Sequence, residues 1–156
     1  MDVSFKISGG DTLLKYLGDL PKKVERKIVA KALREGAKAV HKAQQATARS
    51  MVGGDMGNLI ARSLKVRAMK RSRTGPRVRV MIDPKVTEQL THHAKQGRKQ
   101  WYIPMVVEYG YTRGNTTVQP IPWARTGFEN AVTQAQAKIE NQIREGLNRE
   151  RAANTP

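Results

Sequence analysis

The sequence predicts an α+β fold, a small mainly antiparallel sheet with a basic β-hairpin flanked by two long helices. Two stretches, Pro21 to about Thr47 and Pro122 to about Arg149, repeat apolar residues at steps of three and four, the period of a helix with one buried face. Between them, residues 64–82 alternate apolar with basic residues, the period of paired strands. The 156 residues suit one domain, expected over 1–150, with a disordered tail at 151–156.

Taken in order, Val3, Phe5 and Ile7 alternate with Ser4 and Lys6 and predict a first strand, closed by Gly9-Gly10. Asp11 or Thr12 is placed to cap a short helix through Leu13, Leu14 and Leu17, which Gly18 and Pro21 punctuate. The long helix after Pro21 carries Val24, Ile28, Ala32, Leu33, Ala37, Val40 and Ala43 at helical spacing, with lysines opposite. Its alanines and Gly36 let a neighbouring element approach the axis closely. SMVGGDMGN is expected to be a flexible loop, after which Asn58 caps one turn through Leu59 and Ile60.

In the hairpin, Leu64, Val66 and Ala68 alternate with Lys65 and Arg67, and Val78, Val80 and Ile82 with Arg77 and Arg79, around an RSRTGP tip. Residues 84–100 are polar and weakly periodic, an exposed excursion with one helical turn. WYIPMVVEYG is β-prone, with Pro104 favouring an edge or a kink, and YTRGNTTVQ is expected to be a loop. The last helix should pack Ala124, Phe128, Ala131, Val132, Ala135, Ile139, Ile143 and Leu147, while its outer face mixes both signs of charge.

The formal net charge is +16, and it is unevenly spread. Residues 1–49 carry 11 Lys or Arg against 5 acids, residues 50–100 carry 12 against 3, and residues 101–156 carry 6 against 5. Such a balance concerns partners and solubility more than fold. No apolar run approaches the roughly 20 residues of a membrane helix, and MDVSFKISGG lacks the apolar core of a signal peptide. A soluble protein made in the cytoplasm is expected. The absence of cysteine excludes disulfides, thiolate metal sites and a Cys nucleophile.

His41 stands alone on the first long helix and the adjacent His92 and His93 diverge on a regular element, so all three are expected to be solvated. No HExxH, EF-hand loop, P-loop, GxSxG or spaced acid cluster occurs, and no metal or cofactor is expected. Glu108, between Val107 and Tyr109, is the one carboxylate in an apolar setting. Burial could give it a catalytic pKa, but a structural role is favoured, capping a strand end or pairing with an arginine across an interface. The chain is read as non-catalytic.

Lys65, Arg67, Arg77 and Arg79, extended by Arg71 and Arg73 in the turn, form one basic face. It suits DNA phosphates or an acidic partner surface, and its bland alternative is a solvated face. No aromatic residue lies between positions 17 and 100, so stacking platforms for single strands or RNA are missing there.

Certain short motifs stand in a distinctive order. Gly57-Asn58-Leu59 with Ser63 precedes the strands, Val107-Glu108-Tyr109-Gly110 follows them, and Gln119 to Arg125, with Pro120, Pro122 and Trp123, opens the last helix. Over nearly its whole length this pattern resembles the tail-completion or head-tail joining family of tailed bacteriophages. Two departures are that Tyr111 intervenes before Thr112, where the family usually has Thr directly after the glycine, and that Trp123 stands where Phe is commoner. The resemblance implies a strand ending at VEYG and a structural virion protein of the neck. It further implies a ring, commonly of six copies, between the head connector and the tail tube or its terminator, with double-stranded DNA passing through the middle. On that reading the hairpin cations contact the DNA channel or an acidic partner. Glu108, Tyr109, Gly110, Tyr111, Arg113 and Trp123 then serve ring or tail contacts, with Trp123 equally open to a core role. The alternative is a free, sequence-nonspecific DNA-binding protein.

Overall fold

The computed structural model describes residues 15–69, 75–93 and 100–153. The strand expected at Val3 to Ile7, the cap at Asp11 or Thr12 and Arg71 and Arg73 of the hairpin tip lie outside them. Helices dominate, joined by short strand pairs, in an α+β architecture. The described residues fall into two compact units, one within 1–39, 67–79 and 133–156, the other within 40–66 and 80–132.

Helix α1, Lys22–Thr47, starts where Pro21 supplies a carbonyl to Val24 N (2.8 Å) and Glu25 N (3.1 Å). Its 26 residues rise about 39 Å at 1.5 Å each. The last helix, Trp123–Ala153, is longer and runs into the segment expected to be a disordered tail, of which only 154–156 fall outside the described residues. Its apolar spacing stops at Leu147, but its mixed charges continue through Glu150 and Arg151, and Ala152 and Ala153 are strong helix formers.

In the first unit the two helices run antiparallel and touch through small residues. A methyl on Gly36 would come within 2.6 Å of Ile139 Cγ1, and one on Gly146 within 2.7 Å of Ile28 Cγ2. The core there is Leu17, Ile28, Ala32, Ile143 and Leu147, with Leu20, Val24, Val29 and Ile139 packed against it. The buried line on α1 is therefore Ile28, Ala32, Gly36 and Ala39, while the expected Leu33, Ala37 and Val40 are half-buried. Close approach places Ala32, Gly36 and Ala39 along the seam and leaves Leu33 and Val40 on its flank.

The second unit repeats the contact with other residues. A Cβ at Gly127 would lie 2.7 Å from Gln44 Cα and 2.6 Å from Thr47 Oγ1. Thr47 donates to the Trp123 carbonyl (2.7 Å), and Gln44 Nε2 to that of Ala124 (2.9 Å). The core of this unit is Ala48, Ile60, Ala61, Leu64, Leu90 and Trp123.

The expected flexible loop after α1 is instead a π-helical turn, Ala48–Val52, followed by α2, Gly54–Ser63, so Asn58 sits inside a helix and caps nothing. Gly53 and Gly54 take left-handed backbone angles, φ 68° and 54°, that turn the chain between the two elements. Gly57 is needed for packing, since a Cβ there would sit 2.5 Å from the Ala48 carbonyl oxygen. Glycines that read locally as flexibility are here a turn and a close contact.

Strands β1, Leu64–Ala68, and β2, Val78–Ile82, form the predicted hairpin. Asp83 N bonds Ser63 O (2.8 Å) and Met69 N bonds Arg77 O (2.9 Å), which makes the pair antiparallel. Over its described part the excursion is mostly exposed, as expected, but it holds more than one helical turn. Two 3₁₀ turns, Pro84–Val86 and Glu88–Leu90, lead into β3, Thr91–His93, and Leu90 is fully buried. β3 pairs antiparallel with β4, Gln100–Tyr102, with His92 opposite Trp101.

VEYG ends helix α3, Ile103–Tyr109, and not a strand. Pro104 fits the first helical turn, where its missing N–H costs nothing, and it is buried on the same side as Glu108 four residues on. The loop expected at 111–119 is a hairpin, β5 (Tyr111–Arg113) and β6 (Thr116–Val118), closed by a two-residue turn with Gly114 at φ 56°. α4 denotes Trp123–Ala153 below. Among the described residues the strands form three separate two-stranded pairs, where a single small sheet was expected.

Gly127→Ala should lower stability by roughly 1–3 kcal/mol in urea unfolding, because Gln44 backbone cannot retreat cheaply, outweighing a helix-propensity gain of up to about 1 kcal/mol. Gly18→Ala, with open space around it, is the matched control and should be neutral or slightly stabilising. Equal stabilities for the two variants would contradict the close seam.

Candidate assembly surfaces

Helix α4 opens on Pro122 and Trp123, neither of which has a side chain able to cap a helix. Its first amide hydrogens are nevertheless all satisfied. Trp123 N donates to Ile121 O (2.7 Å) and Thr126 N to Pro122 O (2.9 Å). The two between them go to one side chain, Ala124 N to Glu108 Oε2 (2.8 Å) and Arg125 N to Glu108 Oε1 (3.1 Å). Glu108 is only 7% exposed, and its negative charge also faces the positive end of the helix dipole.

The glycine and prolines of the two motifs complete the same joint. Ile121 N donates to Val107 O (2.8 Å). Gly110, at φ 67°, lies so near the chain after β6 that a Cβ would stand 2.5 Å from Val118 O and 2.9 Å from Pro120 N. Val107 to Gly110 and Pro120 to Arg125 are thus one mechanical unit. Trp123 is 4% exposed within the core, which settles its core role, and its Nε1 has no acceptor among the described residues. Glu108 was expected to cap a strand end or to pair with an arginine across an interface, and within the chain it caps a helix instead.

Four large apolar side chains remain accessible at this joint, beside exposed polar residues such as Thr112, Thr117, Gln119 and Arg125. Met105 and Tyr109 lie four residues apart on α3 and are 58% and 62% exposed. Tyr111 and Val118, direct cross-strand partners in β5 and β6, are also exposed. Arg113 pairs with Thr116 in the backbone register. Sequence reasoning named Tyr109, Gly110, Tyr111 and Arg113 but passed over Met105 and Val118, whose signal appears only once α3 is known to be a helix and 111–118 a hairpin.

On the basic hairpin, Lys65, Arg67, Arg77 and Arg79 are all exposed. They are not equivalent. Lys65 pairs with Asp83, a carboxylate 3% exposed that also accepts from Lys85 N (3.2 Å) and so anchors the turn after β2. Arg67 and Arg77 are likewise engaged within the chain.

His92 and His93 are exposed, as the solvated reading expected, although each also has a partner, and only His41 departs from it. His41 is half-buried with Nε2 2.9 Å from Leu64 O, the first residue of β1. His92 stacks on Trp101 with ring centroids 5.5 Å apart, and His93 Nε2 meets Glu88 Oε1 at 2.7 Å. The reason is tertiary: a lone histidine on a helix shows no partner until the strand beside it is placed. Among the described residues no group of three His, Asp or Glu side chains could hold a metal, and no helix is long and apolar enough to cross a membrane.

Long paired helices, a capped joint and exposed basic and apolar surfaces define a protein that works through contacts with other macromolecules. The family described as "Bacteriophage HK97-gp10, putative tail-component" matches residues 11–95, more than half of the chain. The chain belongs to this HK97-gp10-like family of phage tail components, in agreement with the resemblance to head-tail joining proteins. No curated protein and no solved structure matches it. The matched region ends before VEYG and PIPWAR, so the family is carried by α1, α2 and the basic hairpin, and the carboxy-terminal motifs stand as an independent likeness.

Glu108→Ala should cost about 1–3 kcal/mol, since it leaves two part-buried amides without their acceptor, and Glu108→Gln distinctly less, since one oxygen remains. Thermal unfolding followed at 222 nm measures both. Equal losses for Ala and Gln would contradict a capping role.

Proposed function

We propose that this chain is a non-catalytic structural component of the phage neck, a ring of six copies joining the DNA-filled head connector to the tail tube or its terminator. The family match supports a phage tail component, and the virion is its place of work after synthesis in the host cytoplasm. The observation that carries the ring is the exposed apolar group Met105, Tyr109, Tyr111 and Val118, held on a joint stiffened by Glu108 and Gly110. Water-exposed aromatic and methionine side chains on a rigid support suit burial against a neighbour. In this reading Tyr109, Gly110, Tyr111 and Arg113 form the ring or tail contact, and Glu108 and Trp123 hold them in place from within the subunit. The basic hairpin faces DNA or an acidic partner, and Lys65 serves it less than Arg79 because Asp83 already holds it.

The net charge of +16 favours a second reading, a free DNA-binding protein of no sequence preference. Particle assembly separates the two. Without this chain, infected cells should accumulate filled heads and separate tails, and negative-stain images of the purified chain, alone or with tail tubes, should show rings. Tyr109→Ser/Tyr111→Ser should abolish ring formation while leaving the monomer folded. Tailed particles that form without the chain would overturn the neck reading.

A further inference from the structure

Helix α1 carries cations that the hairpin reading leaves unused. Lys23, Lys27, Lys31, Arg34 and Lys38 follow one another at steps of four, four, three and four residues. At 3.6 residues per turn these fall within about 80° of one another around the axis and span about 22 Å. All five are exposed. Among the described residues Lys23, Lys27, Lys31 and Arg34 form no ion pair, and only Lys38 is tied, by Glu35 Oε1 at 2.7 Å. Glu35 reports the field around it: the Lys38 hydrogen bond holds its carboxyl below the usual carboxylate value against partial burial, with Lys38, Lys138 and Lys31 adding attraction. At its amino-terminal end the stripe adjoins a groove of about 570 Å³ to which Lys22, Lys23, Arg26 and Lys27 contribute.

We infer that this face of α1 is a docking surface for the sugar-phosphate backbone of duplex DNA, bound without regard to base sequence. The charge is linear, as a duplex is, and about 22 Å of duplex offers some 13 phosphate charges, more than enough for every cation of the stripe. Four of the five cations are lysines, compact point charges that can meet phosphates from many angles, whereas reading of base edges favours the planar fork of arginine. An acidic protein surface fits less well. Protein interfaces draw most of their affinity from buried aromatic and apolar anchors, and no aromatic residue lies anywhere on α1. This deepens the reading above, on which it rests for the presence of duplex DNA.

The test titrates the full-length chain onto two duplexes of unrelated sequence across a salt series, with poly-glutamate as competitor. Wild-type protein should bind both duplexes alike. Replacing Lys23, Lys27, Lys31 and Arg34 by Gln should weaken binding about 100-fold near 50 mM salt and lower the slope of log Kobs against log salt by about 3–4. Replacing Arg67, Arg77 and Arg79 by Gln should leave most of that slope. Should the fourfold variant lose helicity, the pairs K23Q/K27Q and K31Q/R34Q each have to remove about half of the slope change. An unchanged slope in the stripe variants, an equal loss in the hairpin variant, or displacement of DNA by poly-glutamate at equal charge would overturn the assignment, the last in favour of an acidic protein partner. Failure of the neck reading would show instead in tailed particles that form without the chain, whatever the slope.

Discussion

The carboxylate of Glu108 at the start of α4 is the interaction on which the second unit depends. A helix that begins Pro-Trp-Ala-Arg has no local means of satisfying its first amides, and the dipole leaves partial positive charge there. One buried side chain from α3 meets two of those amides at once. That fixes where α4 begins, which in turn sets Trp123 in the core beside Leu64 and Leu90 and brings Gly127 against Gln44 and Thr47. Had the cap been a local serine, α4 could start correctly without α3 being in place. Because the cap is remote, helix start, VEYG and the 111–118 hairpin form or fail together.

The same economy appears along the two long helices. Their seam is made of Gly36, Ala32, Gly146 and Ile28 in one unit and of Gly127, Thr47 and Gln44 in the other. Small residues bury little apolar area each, at about 25 cal/mol per Å². The seam recovers part of this through hydrogen bonds, such as Thr47 to Trp123 O and Gln44 to Ala124 O. A contact of this kind is intolerant of added volume. It suits a protein whose surfaces must be held in register for a partner, because neither helix can slide by a residue without driving side chain into backbone.

The two candidate surfaces are carried by different elements. The exposed apolar side chains discussed here sit on α3 and the β5–β6 hairpin, while the densest run of unpaired cations lies on the outer face of α1. A surface that buries aromatic residues against protein would be weakened by crowded lysines, whose hydrated charge resists burial, and a surface for a phosphate backbone gains nothing from tyrosine edges. Pairing of Lys65 with buried Asp83 makes the hairpin partly a structural feature.

By itself the sequence determined the two long helices, the basic hairpin and the kinship with phage joining proteins, because periodicity, charge and motif order are local properties. It left Glu108 at a strand end or against an arginine and not at the start of α4. Several things were decided only in the tertiary structure. The glycines of SMVGGDMGN proved to be a turn and a packing contact, since nothing near Gly57 in sequence announces the Ala48 carbonyl against it. VEYG closed a helix, since the packing of Pro104 and Glu108 outweighed the β-propensity of Val106 and Val107. His41 found the Leu64 carbonyl across 23 residues. The exposed face of Met105, Tyr109, Tyr111 and Val118 exists only once α3 and the hairpin are formed, because exposure is a property of what packs elsewhere and not of the residues that remain outside.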